Sequence, residues 1–584
     1  MQTETHQICY QKQDCRWKTY GAYKCIMWAW MMNEITVVQT PVQISHSGFY
    51  ISALMCLFAV IIIGIPLVYS EICLAQYTNN NVISIWNHFP ILRGVGYASL
   101  FLVALKAVYL LDCGMKTASC CFFEREIGDN NTDIWPRCII RLKLAITSAA
   151  ICAGIYIFAL RNYRDLQILV KFLAGYIGIV IFILLSVVMS TNGTWYAKKV
   201  MINWNGYSLN QIFARLFRSV TDGFLSLGTG FGVIGSLSRD VPFRSPATMT
   251  SIATSLLSVL ISLLLALIAF AGLKTMSYYH GEEENVIEIH DSMFFTYFAS
   301  ISELLGYFDD SIIWFFAWFS AVFCCLFVNL AILFIHLKDL LMPNFISEDR
   351  NNNWYGILVI SLLYIFALPF FCSDLTPSIS QATEVLQILS CLFFSLTLYW
   401  IYGFKKHNID ITFMIGIKAS YFRQLTWLIN PVMLGVILYF KLADSLIKSE
   451  IAGKCYIAKI SCDVFVFYIL VSIYLFIIIA YALTNFIIYY RLKIVCSLFV
   501  PYENWGPRDL IMFKSRNMFV PEIMTREFLY RQVKIGNYSR NIPVTGTIET
   551  ERKSSCIFLH KMRISIIYLM ESLPYNRPSF GRDI

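Results

Sequence analysis

The sequence predicts an all-α polytopic membrane protein, and three observations carry that reading. Hydrophobic residues make up 57% of the 584 and charged residues only 14%, too little polar surface for a soluble chain of this size. Twelve apolar tracts follow one another between short polar loops, each near the roughly 20 residues that a helix needs to cross a bilayer core. The first of them is interrupted by Asn33, Glu34, Ile35 and Thr36. Such an interruption is costly against lipid and tolerable only where it lines a protein cavity.

In chain order the tracts run over residues 21–44, 49–70, 94–119, 139–160, 166–190, 209–237, 247–273, 311–337, 354–374, 381–403, 425–443 and 464–491, with an N-terminal arm over 1–20 and a tail over 492–584. The first tract carries Trp28, Trp30, Asn33 and Glu34, poor filling for a lipid-facing helix, and unwinding there would free carbonyls and amides to hold a cation or a small zwitterion. The sixth carries Gly228, Gly230 and Gly232 within six residues of Ser226, a spacing that permits a second break and equally permits close helix packing. Lys106 lies deep in the third tract, and Glu34 and Asp222 are both candidates to meet its charge.

Charge sets the orientation and excludes some functions. Lys12, Arg16 and Lys18 precede the first tract, and Arg161, Arg164, Arg239, Arg244, Lys405 and Lys406 follow even-numbered tracts, so both termini are expected in the cytoplasm. Asn130 and Asn192 open glycosylation sequons on the opposite side, and the sequon at Asn537 falls in the inner tail. The net charge of +9 is spread over tract ends and tails rather than gathered on one basic face, which argues against nucleic acid as a partner. Many of the 18 cysteines, among them Cys25, Cys56, Cys73, Cys324 and Cys325, sit inside apolar tracts as small hydrophobes, and no metal-like cysteine pair appears. The first 20 residues show no removable signal peptide.

The run GIPLVYSEICLAQYT from Gly64, followed by Ile85, Trp86, Pro90 and the RGVGYA run from Arg93, resembles the signature of the sodium- and chloride-dependent neurotransmitter and amino-acid symporters, solute carrier family 6. Trp17, Pro41, the Ser226–Gly232 run, the FFTY run at Phe294, the WIYG run at Trp400 and the WLINP run at Trp427 add to the likeness, which covers about residues 14–495. The resemblance implies twelve spans in two inverted five-helix repeats, broken helices one and six, and alternating access around a central site.

The same resemblance assigns residues. It places the substrate among Trp30, Asn33, Tyr109, Leu110, Leu225 and Phe231, with Asn33 where amine carriers have an acid, Leu110 where the family has a tyrosine, and Phe231 and Tyr109 as an aromatic wall. It places the first sodium on Met31, Thr36, Ser226 and Thr254, with Thr36 replacing an asparagine. The anion site falls on Cys56, Asp222, Ser226, Thr254 and Ser258, and Asp222 brings negative charge where chloride would sit, so chloride is doubtful. Gate positions fall on Asp14, Gln39 and Glu384. Gln39 replaces the arginine that would pair with Glu384, so closure is expected to be weaker or built differently. No carboxylate lies between Asp310 and Asp339, and Cys324, Cys325, Val328 and Asn329 occupy the region of the second sodium's acid.

These assignments lead to a plasma-membrane secondary carrier for a small amino acid or amine, coupled to Na+, with no covalent cofactor and no enzymatic chemistry. The alternative is a transport-deficient member acting as a membrane scaffold, ligand sensor or accessory subunit. Membrane lipid is a partner in either case, and the tail is the expected place for contacts with a second copy or an accessory protein.

Overall fold

The computed structural model describes residues 20–46, 49–122, 150–152, 154, 163–190, 209–243, 245–280, 311–341, 360–361, 364, 376–454, 462–502 and 505–519, all within the compact unit Met1–Pro521. Among them every regular element is helical. Eight helical segments are long and apolar enough to cross a bilayer: Phe49–Thr78, Pro90–Ala118, Leu166–Ser186, Ala247–Phe270, Ile313–Leu341, Pro377–Ile401, Tyr421–Ala443 and Phe465–Arg491. They match eight of the expected tracts. The tracts over 139–160 and 354–374, the arm with Asp14, and the sequons at Asn130 and Asn192 lie outside the described residues, apart from helical residues 150–152, 154, 360–361 and 364.

The first tract is broken as its composition suggested. Helix α1 (Tyr20–Met31) stops, Met32 and Asn33 leave helical geometry, and a wide π turn (Ile35–Gln39) leads into α2 (Thr40–His46). Pro41 accounts for part of this: it has no N–H to give the preceding turn, and a wider turn is one way for the ladder to pass such a gap. The second span repeats the device without breaking, as α3 (Phe49–Ala59), a π turn (Val60–Gly64) and α4 (Ile65–Thr78), with Pro66 just beyond the wide turn. A short helix, α5 (Val82–Asn87), leads to α6 (Arg93–Phe122), followed by α7 (Tyr163–Ser190).

The sixth tract is the second break: α8 (Leu209–Leu225) ends, residues 226–232 run as irregular chain, and α9 (Val233–Arg239) resumes. Then come α10 (Ala247–His280), α11 (Ser311–Leu341), α12 (Thr376–Ser395) with a π turn at its end (Leu396–Ile401), α13 (Phe404–Ile415), α14 (Tyr421–Lys454), α15 (Cys462–Arg491) and α16 (Leu510–Asn517).

Burial separates an inner from an outer set. Helix α6 packs against α11, α12 and α15, α8 against α3, and α1 against α10, around a core that fully buries Trp30, Phe231, Trp427, Tyr399 and Phe319. Helices α7 and α15 instead expose Ile168, Phe172, Phe182, Phe476, Ile479 and Leu483. A ring of large apolar side chains on that scale suits hydrocarbon rather than water. The start of the tail packs back on the bundle: the Tyr502 amide donates to the His88 carbonyl at 3.0 Å, Trp505 meets the rings of Phe89 and Tyr402, and Arg516 pairs with Asp410 of α13 at 2.7 Å.

Candidate functional site

The two breaks face each other, and their freed polar groups meet. The Asn33 amide donates to the Ser226 carbonyl at 3.0 Å, while its own oxygen accepts from the Thr36 amide at 3.1 Å. The Thr36 hydroxyl lies 2.7 Å from the Met31 carbonyl and 3.0 Å from the Ser226 carbonyl, within donating distance of either. The Ser258 hydroxyl of α10 donates to the same Met31 carbonyl at 3.0 Å, and the Trp30 indole to the Gly228 carbonyl at 3.0 Å. Residues 33–36 are therefore turned into the protein, all fully or almost fully buried.

The second break depends on glycine. Gly228 and Gly230 have φ of +62° and +86°, a region that side-chain-bearing residues avoid. A Cβ at Gly228 would fall 2.7 Å from the Trp30 indole nitrogen, and one at Gly230 would fall 2.5 Å from the Cys391 sulfur. Of the two readings that the glycine spacing permitted, both apply: the chain breaks there, and it packs closely where it breaks. Helix α12 braces the irregular strand, with Gln387 donating to the Thr229 carbonyl at 3.0 Å and Ser390 to the Gly230 carbonyl at 2.7 Å. From the other side Glu71 accepts the Gly230 amide at 2.8 Å; its second oxygen is buried with no hydrogen-bond partner, and the residue borders a cavity of about 50 Å³ shared with Ser99, Gly232 and Ser390.

Of the expected sodium donors, the Met31 carbonyl, the Thr36 hydroxyl and the Ser226 carbonyl come together, and Asn33 Oδ1 joins them. Four neutral oxygens at the junction of two broken helices are a donor set that fits a hard monovalent cation. Thr254 is turned away, its hydroxyl donating to the Thr250 carbonyl one turn back at 2.7 Å. In the region of the second sodium an amide stands where an acid was expected. The Asn329 amide nitrogen of α11 lies 2.7 Å from the Met32 carbonyl and 3.2 Å from the Ala29 carbonyl, so donor hydrogens occupy the carbonyls that the first break releases. The Asn329 side-chain oxygen is buried there with no hydrogen-bond partner, a neutral acceptor where a carboxylate was expected.

Among the described residues, the expected anion positions form no cradle of donors. Gly223 packs on Cys56, and the half-buried Asp222 lies within electrostatic reach of the Cys56 thiol. The hydroxyls of Ser226, Thr254 and Ser258 are directed to the Gly223, Thr250 and Met31 carbonyls. Each has a single proton to donate.

The charged centre of the site is the ion pair of Lys106 with Glu34, the first of the two partners that the sequence left open. Both side chains are buried, and the Lys106 ammonium also sits 5.1 Å from the centre of the Tyr109 ring and 5.6 Å from that of Phe231. Trp30 meets Phe231 edge to face at 5.9 Å. Leu110 and Leu225 are buried, and the Leu225 carbonyl takes a bond from Gln387 at 3.3 Å.

The gate positions are connected in an unforeseen way. Gln39 reaches the Tyr109 hydroxyl at 3.4 Å and Ser380 at 3.5 Å, and Ser380 reaches Glu384 at 3.4 Å. The positive partner of Glu384 is Lys441 of α14, at 2.5 Å. Sequence reasoning passed over Lys441 because it stands at the end of the eleventh tract, where a lysine reads as an interfacial anchor. It passed over Gln387 as well, although an amide in the middle of an apolar span is itself a signal of a buried partner.

Facing helix breaks inside a polytopic helical bundle define a secondary-carrier type of membrane protein rather than an enzyme. The sodium:neurotransmitter symporter family model matches residues 47–111, which hold the GIPL run and the helix that carries Lys106. The chain is 23% identical to a sodium-dependent serotonin transporter of Drosophila melanogaster over 441 residues, 66% of this chain and 70% of the relative. Over a 65-residue stretch it is 42% identical to the sodium- and chloride-dependent GABA transporter 2 of Mus musculus and of Rattus norvegicus, 11% of this chain and 10% of each relative. Over residues 47–111 the chain is similar to this symporter family, and its identity to the longer relative is that of a divergent likeness.

Proposed function

We propose that the chain carries a small amino acid or amine across the plasma membrane by alternating access, with cation coupling through one site. In this reading twelve spans form two inverted five-helix repeats, both termini are cytoplasmic, and Asn130 and Asn192 are glycosylated outside. The observation that supports it most is the convergence of the Met31 and Ser226 carbonyls, Asn33 Oδ1 and the Thr36 hydroxyl where two broken helices meet. Na+ bound there would tie helix one to helix six. A state in which the two breaks stand together binds it better than one in which they part, and that difference in affinity is the coupling. The lack of a carboxylate between Asp310 and Asp339 argues against a second coupled cation, and the carbonyl-directed hydroxyls of Ser226, Thr254 and Ser258 argue against a chloride requirement. Gln39, Ser380, Glu384 and Lys441 form the closing contact beside Tyr109.

Radiotracer uptake by reconstituted protein, across a panel of amino acids and amines, tests the reading. Uptake driven by a sodium gradient, insensitive to chloride replacement and lost in Thr36→Val supports it. Uptake unaffected by Thr36→Val, or strictly chloride-dependent, removes the ion assignment.

One observation favours a second reading, a family member that binds a ligand or partner without moving a solute. The Lys106–Glu34 pair sets the chain's own charges between the two breaks. Reproducible ligand binding without flux selects that reading.

A further inference from the structure

Lys106 occupies surroundings built for a cation. Its ammonium faces a carboxylate from the first break and the faces of two aromatic rings, Tyr109 from its own helix and Phe231 from the second break, at 5.1 and 5.6 Å. A carboxylate with two ring faces is the chemistry by which proteins hold small organic ammonium ions, through ion pairing and the negative potential over each ring. The second oxygen of Glu34 is buried with no hydrogen-bond partner. The cage therefore offers one acceptor more than the lysine fills. Glu34 is wholly buried and Lys106 nearly so, which makes their pairing obligatory for the closed arrangement, because either charge alone would stand unpaired in an apolar surround.

We propose that Glu34, Tyr109 and Phe231 form a binding site for small primary ammonium ions, which the chain keeps filled in cis with the side chain of Lys106. The site is self-liganded: an external ammonium gains it only when Lys106 withdraws. The cage stands on geometry alone. Its meaning for transport rests on the carrier reading, in which an amine or the amino group of a solute displaces Lys106 from Glu34.

Truncation of the lysine tests the proposal. Lys106→Ala removes three methylenes and the ammonium, and n-propylammonium replaces those atoms. Full-length protein is purified in detergent, and its melting temperature is followed in n-propylammonium, in n-propanol, which has the shape without the charge, and in N-methylglucammonium as the bulky control. The expected result is a Lys106→Ala protein that melts below wild type and is restored saturably by n-propylammonium alone. Its half-saturation falls at least about tenfold below any response of wild type, whose site is filled. Lys106→Ala with Glu34→Gln does not respond. A response to n-propanol equal to that to n-propylammonium, a response retained in the double variant, or a wild-type response as sensitive as that of Lys106→Ala overturns the proposal.

Should Lys106→Ala not survive purification in the control buffer, the yield of monodisperse protein becomes the readout. Recovery only with n-propylammonium upholds the cage, and recovery that does not depend on it, or is absent in both buffers, overturns it. Tracer uptake by wild type is measured alongside. A melting response without uptake keeps the cage and removes the carrier reading, and uptake without a melting response does the reverse.

Discussion

Replacing Gly230 by alanine attacks the irregular strand at its most constrained point. The residue has φ of +86°, and its new Cβ would lie 2.5 Å from the Cys391 sulfur and 3.0 Å from the Gln387 carbonyl oxygen. Holding an L-residue in the left-handed region costs about 1–2 kcal/mol. Forcing an extra methyl into a packed site adds about 1–3 kcal/mol. The sum, about 2–5 kcal/mol, lowers the folded-to-unfolded ratio by a factor of about 30 to 5,000. The backbone cannot move away cheaply, because the Gly230 amide is held by Glu71 at 2.8 Å and its carbonyl by Ser390 at 2.7 Å. Gly435→Ala is the control, since a Cβ there meets nothing within 4 Å. Melting of the purified proteins in detergent should show Gly230→Ala well below wild type and Gly435→Ala close to it. Equal melting temperatures for the two variants would refute the claim that the second break depends on glycine.

Three further outcomes follow from other parts of the structure. Asn329→Leu should destabilise by about 1–3 kcal/mol for each buried carbonyl left without a donor, while Asn329→Asp, which puts a carboxylate in place of the amide, should make the melting temperature rise with sodium more steeply than it does in wild type; a sodium response no steeper than that of wild type would undo the reading of that place. Glu384→Gln and Lys441→Met should each destabilise, and the double variant should cost less than their sum, with a coupling of about 0.5–3 kcal/mol; additivity would show that the 2.5 Å pair contributes nothing. The third concerns His407, in α13 and enclosed by Trp427 and Tyr399, where burial pushes the imidazole down to about 3. The unfolded chain takes up a proton near pH 6.5 and the folded chain does not, so the stability from this group is complete above that pH and lost as pH falls. At pH 5 the loss is about 2 kcal/mol. Neighbouring Asp410 is held above its usual value by burial, against the pull of Arg516, so its own contribution runs in the opposite sense. His407→Phe isolates the histidine, and an unchanged acid dependence of melting in that variant would exclude it as the cause.

The sequence alone determined the class of fold and the first of the two breaks, and it marked the place of the second while leaving close packing as the other reading. Tract length and composition are local properties that the bilayer's thickness translates directly into spanning helices, and a charged, amide-bearing interruption or a cluster of glycines is a local property of the same kind. The GIPL run likewise carried the family, because it is contiguous. The tertiary structure alone decided which charges and donors meet. Glu34 rather than Asp222 pairs with Lys106, Lys441 rather than a first-helix arginine pairs with Glu384, and Asn329 sets donor hydrogens against carbonyls nearly 300 residues away in sequence. Such pairings depend on the rotation of each helix about its axis. A step of one residue turns a side chain by about 100°, and only packing against neighbouring helices fixes that angle.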